Sequence, residues 1–276
     1  MITSSSTIRS FWYPVVQLAG LLLAFVVIMP SHAYEPIDLS FAIHEATKVL
    51  ERNPKDINAY LRRGSAKLSL KDYDGAIKDF DKVIGLDPNS GSGYALRGSA
   101  KAEKGEHEEA IKDFTKALDS DPKDERTFVS RGKAKASKKD YDGAIEDFST
   151  ALKLDPKDLP VYVSLSYAKL HKQDYDGAIG ACTSALRISE YAPAYVGRAS
   201  ARVLKGDYTD AIEDCTKAIK IEPEMSEPYI RRGYARMKMK DYDGAIEDCN
   251  QALGMDRENI AARKILDTAR QKKTGR

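Results

Sequence analysis

A short acidic motif recurs along the chain and constrains the fold more than any other feature of the sequence. The segments DYDGAIKD at residue 72, DYDGAIED at 140, DYDGAIGA at 174 and DYDGAIED at 241 are nearly identical, and EHEEAIKD at 106 and DYTDAIED at 207 are weaker copies. The shared alanine returns after 34, 34, 34, 33 and 34 residues. A fixed period of this length is typical of one supersecondary unit copied in tandem rather than of a domain with a single core.

The period divides the chain into six consecutive units, which we place at 57–90, 91–124, 125–158, 159–191, 192–225 and 226–259. Two helices are predicted in the first unit. One runs from about Asn58 to Leu70 after the N-cap Asp56, and the second follows the N-cap Asp72 and ends before Pro88. We interpret all six acidic segments as helix N-caps, since they lack the twelve-residue spacing of a calcium-binding loop.

Five of the six units carry an arginine on the first helix and an aspartate three residues after the shared alanine of the second helix. The fourth unit has Leu165 and Ala181 at these two positions. Because both charges are missing from the same unit, we predict that each arginine pairs with the aspartate of its own unit and has a structural role. The predicted pairs are Arg63–Asp79, Arg97–Asp113, Arg131–Asp147, Arg198–Asp214 and Arg232–Asp248.

Four further positions recur in a fixed order within the units. In the first unit they are the aromatic Tyr60, Gly64 four residues later, Ala76 on the second helix and Pro88 near the end. In this pattern the chain resembles the tetratricopeptide repeat family from residue 57 to residue 259. The resemblance implies an all-α fold, a right-handed superhelical solenoid of antiparallel helix pairs. It also implies that the first helices line a concave groove that binds peptides or protein segments.

Single helices are predicted at both ends of the repeat array. Residues 34–56 contain apolar residues in the register of a second helix, so we expect an N-terminal capping helix there. Residues 260–276 are expected to form a C-terminal capping helix with a basic tail. Such terminal elements cover the open ends of a stack of repeats.

The first 33 residues have the order of a secretory signal peptide. Arg9 precedes an uncharged run from Phe11 to Met29, and the small residues of Ser31-His32-Ala33 follow Pro30. We predict cleavage before Tyr34 and export of the repeats to the periplasm or out of the cell. The alternative is an uncleaved anchor with the repeats on the outer side, because the run of 19 residues approaches the ~20 that span a bilayer.

Side chains with the spacing of a catalytic or metal site are not found in the sequence. Cys182, Cys215 and Cys249 occupy second-helix positions that hold phenylalanine in the first three units, so we predict small buried side chains there. No nucleophile with a base, phosphate-binding loop or zinc signature is recognisable. The net charge of +2 gives no general attraction to nucleic acid. We therefore predict neither an enzyme nor a cofactor.

The resemblance places the ligand-facing positions on the first helices, where apolar and small residues dominate. Five basic residues and two acidic residues at these positions make the predicted groove positive. We predict a protein or peptide partner, an extended or helical segment that carries acidic and apolar side chains. The alternative is a spacer or self-assembling scaffold of the cell envelope. The predicted groove residues are Leu61, Arg62, Leu96, Arg126, Val129, Lys133, Tyr167, His171, Arg231 and Tyr234.

Overall fold

The structure is a computed structural model that describes residues 38–275. This part of the chain forms fourteen α-helices and no β-strand, which confirms the predicted all-α class. The predicted signal peptide or anchor lies outside the described residues. The helices are α1 Leu39–Arg52, α2 Ile57–Ser69, α3 Tyr73–Leu86, α4 Gly91–Lys104, α5 His107–Ser120, α6 Glu125–Ser137, α7 Tyr141–Leu154, α8 Leu159–His171, α9 Tyr175–Ile188, α10 Ala192–Lys205, α11 Tyr208–Ile221, α12 Ser226–Lys238, α13 Tyr242–Met255 and α14 Ile260–Thr274.

The helices stack as a solenoid of pairs, as predicted. Each of the six units contributes a first helix (α2, α4, α6, α8, α10 and α12) and a second helix (α3, α5, α7, α9, α11 and α13), and each helix packs on the next one in the chain. First helices also contact the first helix of the next unit, whereas among the described residues no second helix contacts another second helix. The first helices therefore form the inner layer of the stack, and α1 and α14 flank the array.

The helix bounds lie within a few residues of the predicted ones. Helix α2 begins at Ile57, directly after Asp56, whose side chain accepts a hydrogen bond from the Ala59 amide. Helix α14 extends to Thr274 and ends at Gly275, which has a left-handed backbone with φ of 69°. None of the fourteen described helices is both long and apolar enough to span a bilayer.

The DYDG motif forms the start of the second helix in four units. In the first unit Asp72 accepts a hydrogen bond from the amide of Gly75, with an N to O distance of 3.0 Å. A Cβ atom on Gly75 would lie only 2.1 Å from Asp72 Oδ2, so the glycine leaves room for the carboxylate in this orientation. The same bond is made by Asp140 with Gly143, Asp174 with Gly177, and Asp241 with Gly244.

Units two and five lack this cap. Glu109 and Asp210 replace the glycine, and the side chains at the N-cap positions, Glu106 and Asp207, make no capping hydrogen bond. The prediction that all six acidic segments cap a helix with their side chains is therefore wrong for these two units. In the four capped units the carboxylate lies where the Cβ atom of a side chain at the glycine position would be, so Glu109 and Asp210 do not fit with a carboxylate in that same orientation.

A large and a small residue face each other in the core of each early unit. Phe80, Phe114 and Phe148 lie against Gly64, Gly98 and Gly132, and a Cβ atom on Gly64 would lie only 2.6 Å from Phe80 Cε1. In units four to six the phenylalanine is replaced by Cys182, Cys215 and Cys249, all buried and unpaired. Burial raises the pKa of the three thiols to about 11, 12 and 11, so they stay protonated and chemically quiet at neutral pH.

Candidate binding groove

A buried aspartate joins the two helices of each unit except the fourth. Asp147 is 1% exposed, and Arg131 donates to it from Nε at 3.0 Å and from Nη2 at 2.8 Å. Every such pair lies within one unit. The same two-nitrogen fork, with N to O distances of 2.6 to 3.1 Å, joins Arg63 to Asp79, Arg97 to Asp113, Arg198 to Asp214 and Arg232 to Asp248.

A second basic side chain, which was not predicted from the sequence, contacts each buried aspartate. Lys135, one helical turn after Arg131, lies with Nζ 2.9 Å from Asp147 Oδ2. A basic residue four positions after the arginine position recurs in all six units. Because residues four apart lie on the same face of a helix, this recurrence could have predicted the second cation. The other members are Lys67, Lys101, Arg202 and Arg236, at 2.6 to 2.9 Å from their aspartates.

The third nitrogen of each arginine reaches the helix that immediately precedes its own in the chain. Arg131 Nη1 donates to Thr115 Oγ1 at 3.2 Å, and Arg97 Nη1 donates to Asp81 at 2.6 Å. All three guanidinium nitrogens of each arginine therefore donate to residues of the helical stack. These arginines have no pair of nitrogens left to bind a ligand. Thr47, Thr183 and Thr216 accept the equivalent bonds from Arg63, Arg198 and Arg232.

The fourth unit holds its helices together with an apolar contact instead. Leu165 and Ala181 are 8% and 7% exposed and belong to one apolar cluster with Phe148 of the preceding unit. Lys169, which has no buried aspartate to contact, lies 3.2 Å from the capping carboxylate of Asp174. Loss of both charges together avoids leaving either one buried and unpaired.

The ten predicted groove residues lie on the inner-layer helices but differ in exposure. Leu61 and Leu96 pack against one core cluster, and Val129 packs against the cluster of units three and four. Tyr234 packs against two clusters, one formed by units five and six and one formed by unit six and α14. These four are half-buried. The others reach solvent to a greater extent: Arg62, Arg126, Lys133, Tyr167 and His171 are exposed, and Arg231 is partly exposed.

An aromatic cluster forms on the fourth unit, where Tyr167 is 55% exposed. Its ring meets His171 edge-on, with centroids 4.5 Å apart. The third member of the cluster is Tyr141, the first residue of α7. Its ring stacks on the His171 ring, with centroids 4.6 Å apart and an angle of 5° between the planes. Tyr167 and His171 are among the groove residues predicted from the sequence, whereas Tyr141 is not. The structure thus holds the exposed Tyr167 ring against His171, which is itself stacked on Tyr141 of the adjacent unit.

A second group of predicted groove residues lies at the far end of the array. Arg231 and Tyr234 line one open pocket of about 300 Å³ between α12 and α14. The Lys238 ammonium group lies over the Tyr234 ring, 5.3 Å from its centroid. The two groups define what we call the inner face: the exposed side chains of the first helices together with the side of α14 that lines this pocket.

Family models described as tetratricopeptide repeat match residues 57–90, 95–158, 129–193, 192–225 and 226–259. The matches cover well over half of the chain, and the protein belongs to the tetratricopeptide repeat family. Proteins of this family are in general scaffolds that bind other proteins rather than enzymes. A comparison with curated proteins finds no significant match.

Solved structures with the same fold include three that illustrate its range. A chain of the APC/C hetero-tetramer Cut9–Hcn1 aligns with a TM-score of 0.67 at 18% identity, over 84% of this chain and 46% of that one, so this chain spans about half its length. The MamA protein aligns with a TM-score of 0.55 at 26% identity, over 62% and 94%. YrrB, described as having an unusual peptide-binding site, aligns with a TM-score of 0.52 at 16% identity, over 81% and 98%.

Proposed function

We propose that the protein binds a segment of a partner protein along its inner face. The observation that carries the proposal is the ring of Tyr167, more than half exposed and yet supported by His171 and, through it, by Tyr141. A rigid aromatic side chain that is exposed rather than buried within the chain is the kind of group that dominates binding energy at protein interfaces.

The partner segment carries apolar and acidic side chains. Half-buried apolar residues such as Leu61, Leu96 and Val129 offer the partner apolar contacts on the first helices that precede Tyr167 in the stack. Exposed basic residues, among them Arg62 and Lys133, lie on the same inner-layer helices. The apolar contacts supply most of the affinity, while the positive charges favour acidic segments and speed their association. The family's general role and the peptide-binding relative YrrB support this proposal.

The proposal includes export of the protein across a membrane. It rests on the order of residues in the first 33 positions, in which Arg9, an apolar run and Ser31-His32-Ala33 follow one another. The mature chain then starts at Tyr34. The intact mass of the protein from its native host tests this point, and a protein that keeps residues 1–33 in the membrane fraction is instead a tethered adaptor with its repeats on the outer side.

Selection of random twelve-residue peptides displayed on phage tests the binding proposal with no partner chosen in advance. We expect the selected peptides to be enriched in Asp and Glu together with Leu, Ile or Phe. Fluorescence anisotropy with one selected peptide then compares two variants of the inner face with two matched variants of the second helices. Tyr167→Ala and the pair Arg126→Glu, Lys133→Glu should each weaken binding by about tenfold or more.

The controls for this experiment lie on second helices. Leu154→Ala removes a partly exposed apolar side chain from α7, and Lys112→Glu with Lys116→Glu reverses two charges on α5. All four proteins should give the same helical circular dichroism spectrum. Inner-face variants that bind as well as the controls would contradict the proposal, and self-association in ultracentrifugation would then favour the scaffold alternative.

A further inference from the structure

The pocket between α12 and α14 combines an apolar floor with a basic rim. Ile230 and Ile265, 5% and 9% exposed, form the floor, and Met237 and Tyr234 line one side. Arg231 on α12 and Lys264 on α14 lie at the rim. The volume of about 300 Å³ is at the lower end of those that bind small organic groups.

Arg231 differs from its neighbour Arg232 in how its nitrogens are used. Arg232 donates from all three nitrogens to Asp248 and Thr216. Arg231 is held by one ion pair, from Nη2 to Glu227 Oε1 at 2.6 Å, and its Nε is buried without an acceptor among the described residues. The Arg231 side chain as a whole is 42% exposed and makes no other polar contact within residues 38–275, so the outer part of its guanidinium can donate to a carboxylate of a ligand.

Lys264 provides a second cation on the opposite wall of the pocket. Within residues 38–275 its ammonium group forms no hydrogen bond or ion pair, whereas Lys273 on the same helix pairs with Asp243. Two cations on opposite sides of an apolar pocket, one of them already fixed by Glu227, match a ligand that carries a carboxylate directly beside an apolar group.

We propose that this pocket anchors one branched aliphatic side chain of the partner segment, with an adjacent carboxylate bound between Arg231 and Lys264. The inference rests on the proposed function, because it takes the segment to lie along the inner face. It goes further in assigning the end of the segment's path and the chemistry of one contact: the apolar group fills the pocket over Ile230 and Ile265, and the carboxylate accepts from the guanidinium.

N-acetyl-leucine is the probe for this site, since it carries an isobutyl group and a carboxylate on the same residue. N-acetyl-leucinamide is the matched probe without the charge. Titration followed by NMR of the methyl groups should show saturable shifts at Ile230, Ile265 and Met237 with N-acetyl-leucine. We expect the amide to bind about fivefold or more weakly, since a charged hydrogen bond is lost.

Three variants test the assigned cations. Arg231→Gln and Lys264→Gln should each bring the affinity for N-acetyl-leucine close to that for the amide, whereas Arg231→Lys should keep part of the preference. Arg263→Gln is the matched control and should change nothing, because Arg263 is an exposed neighbour of Lys264 that does not line this pocket. Equal binding of the two probes, or full preference for N-acetyl-leucine in Arg231→Gln, would overturn the proposal.

The two proposals fail in different ways. The probes are single amino-acid derivatives that contact only the pocket, so their failure leaves peptide binding at Tyr167 intact. Selected twelve-residue peptides that bind Arg231→Gln as tightly as the unchanged protein would likewise overturn the anchor alone. Loss of all effect from the Tyr167 and Lys133 variants would instead overturn the inner-face proposal.

Discussion

Units three and four are neighbours in the stack but hold their two helices together differently. In unit three the buried Asp147 accepts two hydrogen bonds from Arg131 and forms an ion pair with Lys135. In unit four Leu165 and Ala181 make an apolar contact at the same two positions. The two helices of a unit can therefore be joined either by the complete charged network or by apolar side chains alone. A unit with only one of the two charges would bury an unpaired charge, and none of the six units has this combination.

The largest expected effect comes from breaking the charged network of unit three. Asp147→Ala should lower the free energy of unfolding by about 3 to 5 kcal/mol, because two largely buried cations lose their common partner. Urea unfolding measures this. The control is Asp142→Ala, which removes the exposed bridge to Lys172 at 2.8 Å and a negative charge in the first turn of α7, and should cost about 1 kcal/mol or less. An equal decrease in the free energy of unfolding in the two variants would mean that burial does not determine how much the network stabilises the protein.

A double-mutant cycle sharpens the same point. The coupling between Arg131 and Asp147 should be clearly above zero, while Arg131 with Asp113 of the preceding unit should be near additive. No described contact joins the latter pair, and the Arg131 guanidinium reaches the preceding unit through Thr115. Strong coupling to Asp113 would contradict pairing within the unit.

The next largest change in stability is expected when the charged network is introduced into unit four. Leu165→Arg alone should destabilise the protein by about 3 kcal/mol, since the new charge is buried without a carboxylate. The double variant Leu165→Arg, Ala181→Asp should recover at least half of that loss, and Lys169 is placed to join the new aspartate as Lys135 joins Asp147. Urea unfolding of both variants and of Ala181→Asp measures these free energies. A double variant less stable than either single variant would show that the two helices of unit four no longer lie where an arginine and an aspartate can pair.

A smaller effect is expected at the helix caps. Gly143→Ala puts a Cβ atom 2.4 Å from Asp140 Oδ2, so the carboxylate must shift and the cap of α7 should weaken, at a cost of up to about 1 kcal/mol. Unit two offers the matched control, because Glu109 stands at the glycine position and no capping bond is present there. Glu109→Ala should leave the unfolding midpoint nearly unchanged. A loss at Gly143 no larger than at Glu109 would remove the physical explanation of the DYDG motif.

The sequence predicted the fold well because its main determinants repeat. The 34-residue period, the cap positions and the paired loss at Leu165 and Ala181 are visible in one chain without any structure. What the sequence did not reveal are contacts between units. The stacking of Tyr141 on His171 and the bonds from the arginines to Thr115 and its equivalents join positions about 16 to 30 residues apart, and their geometry depends on how successive helix pairs are rotated.

The inner face was the least predictable part. The family resemblance assigned its residues to helices, but only packing separates Tyr234, which lies between two core clusters, from Tyr167, which reaches solvent. The pocket between α12 and α14 depends on the angle at which the capping helix lies, and periodicity carries no information about that angle.

Photo-crosslinking tests most directly the claim that the inner face at unit four is the binding surface. Tyr167 and, separately, Leu154 of the second-helix layer are each replaced by p-benzoylphenylalanine, and each protein is irradiated with a labelled peptide from the phage selection. The account predicts a crosslinked product at position 167, competed by unlabelled peptide, and none at position 154. Competable crosslinking at 154 with none at 167 would contradict it.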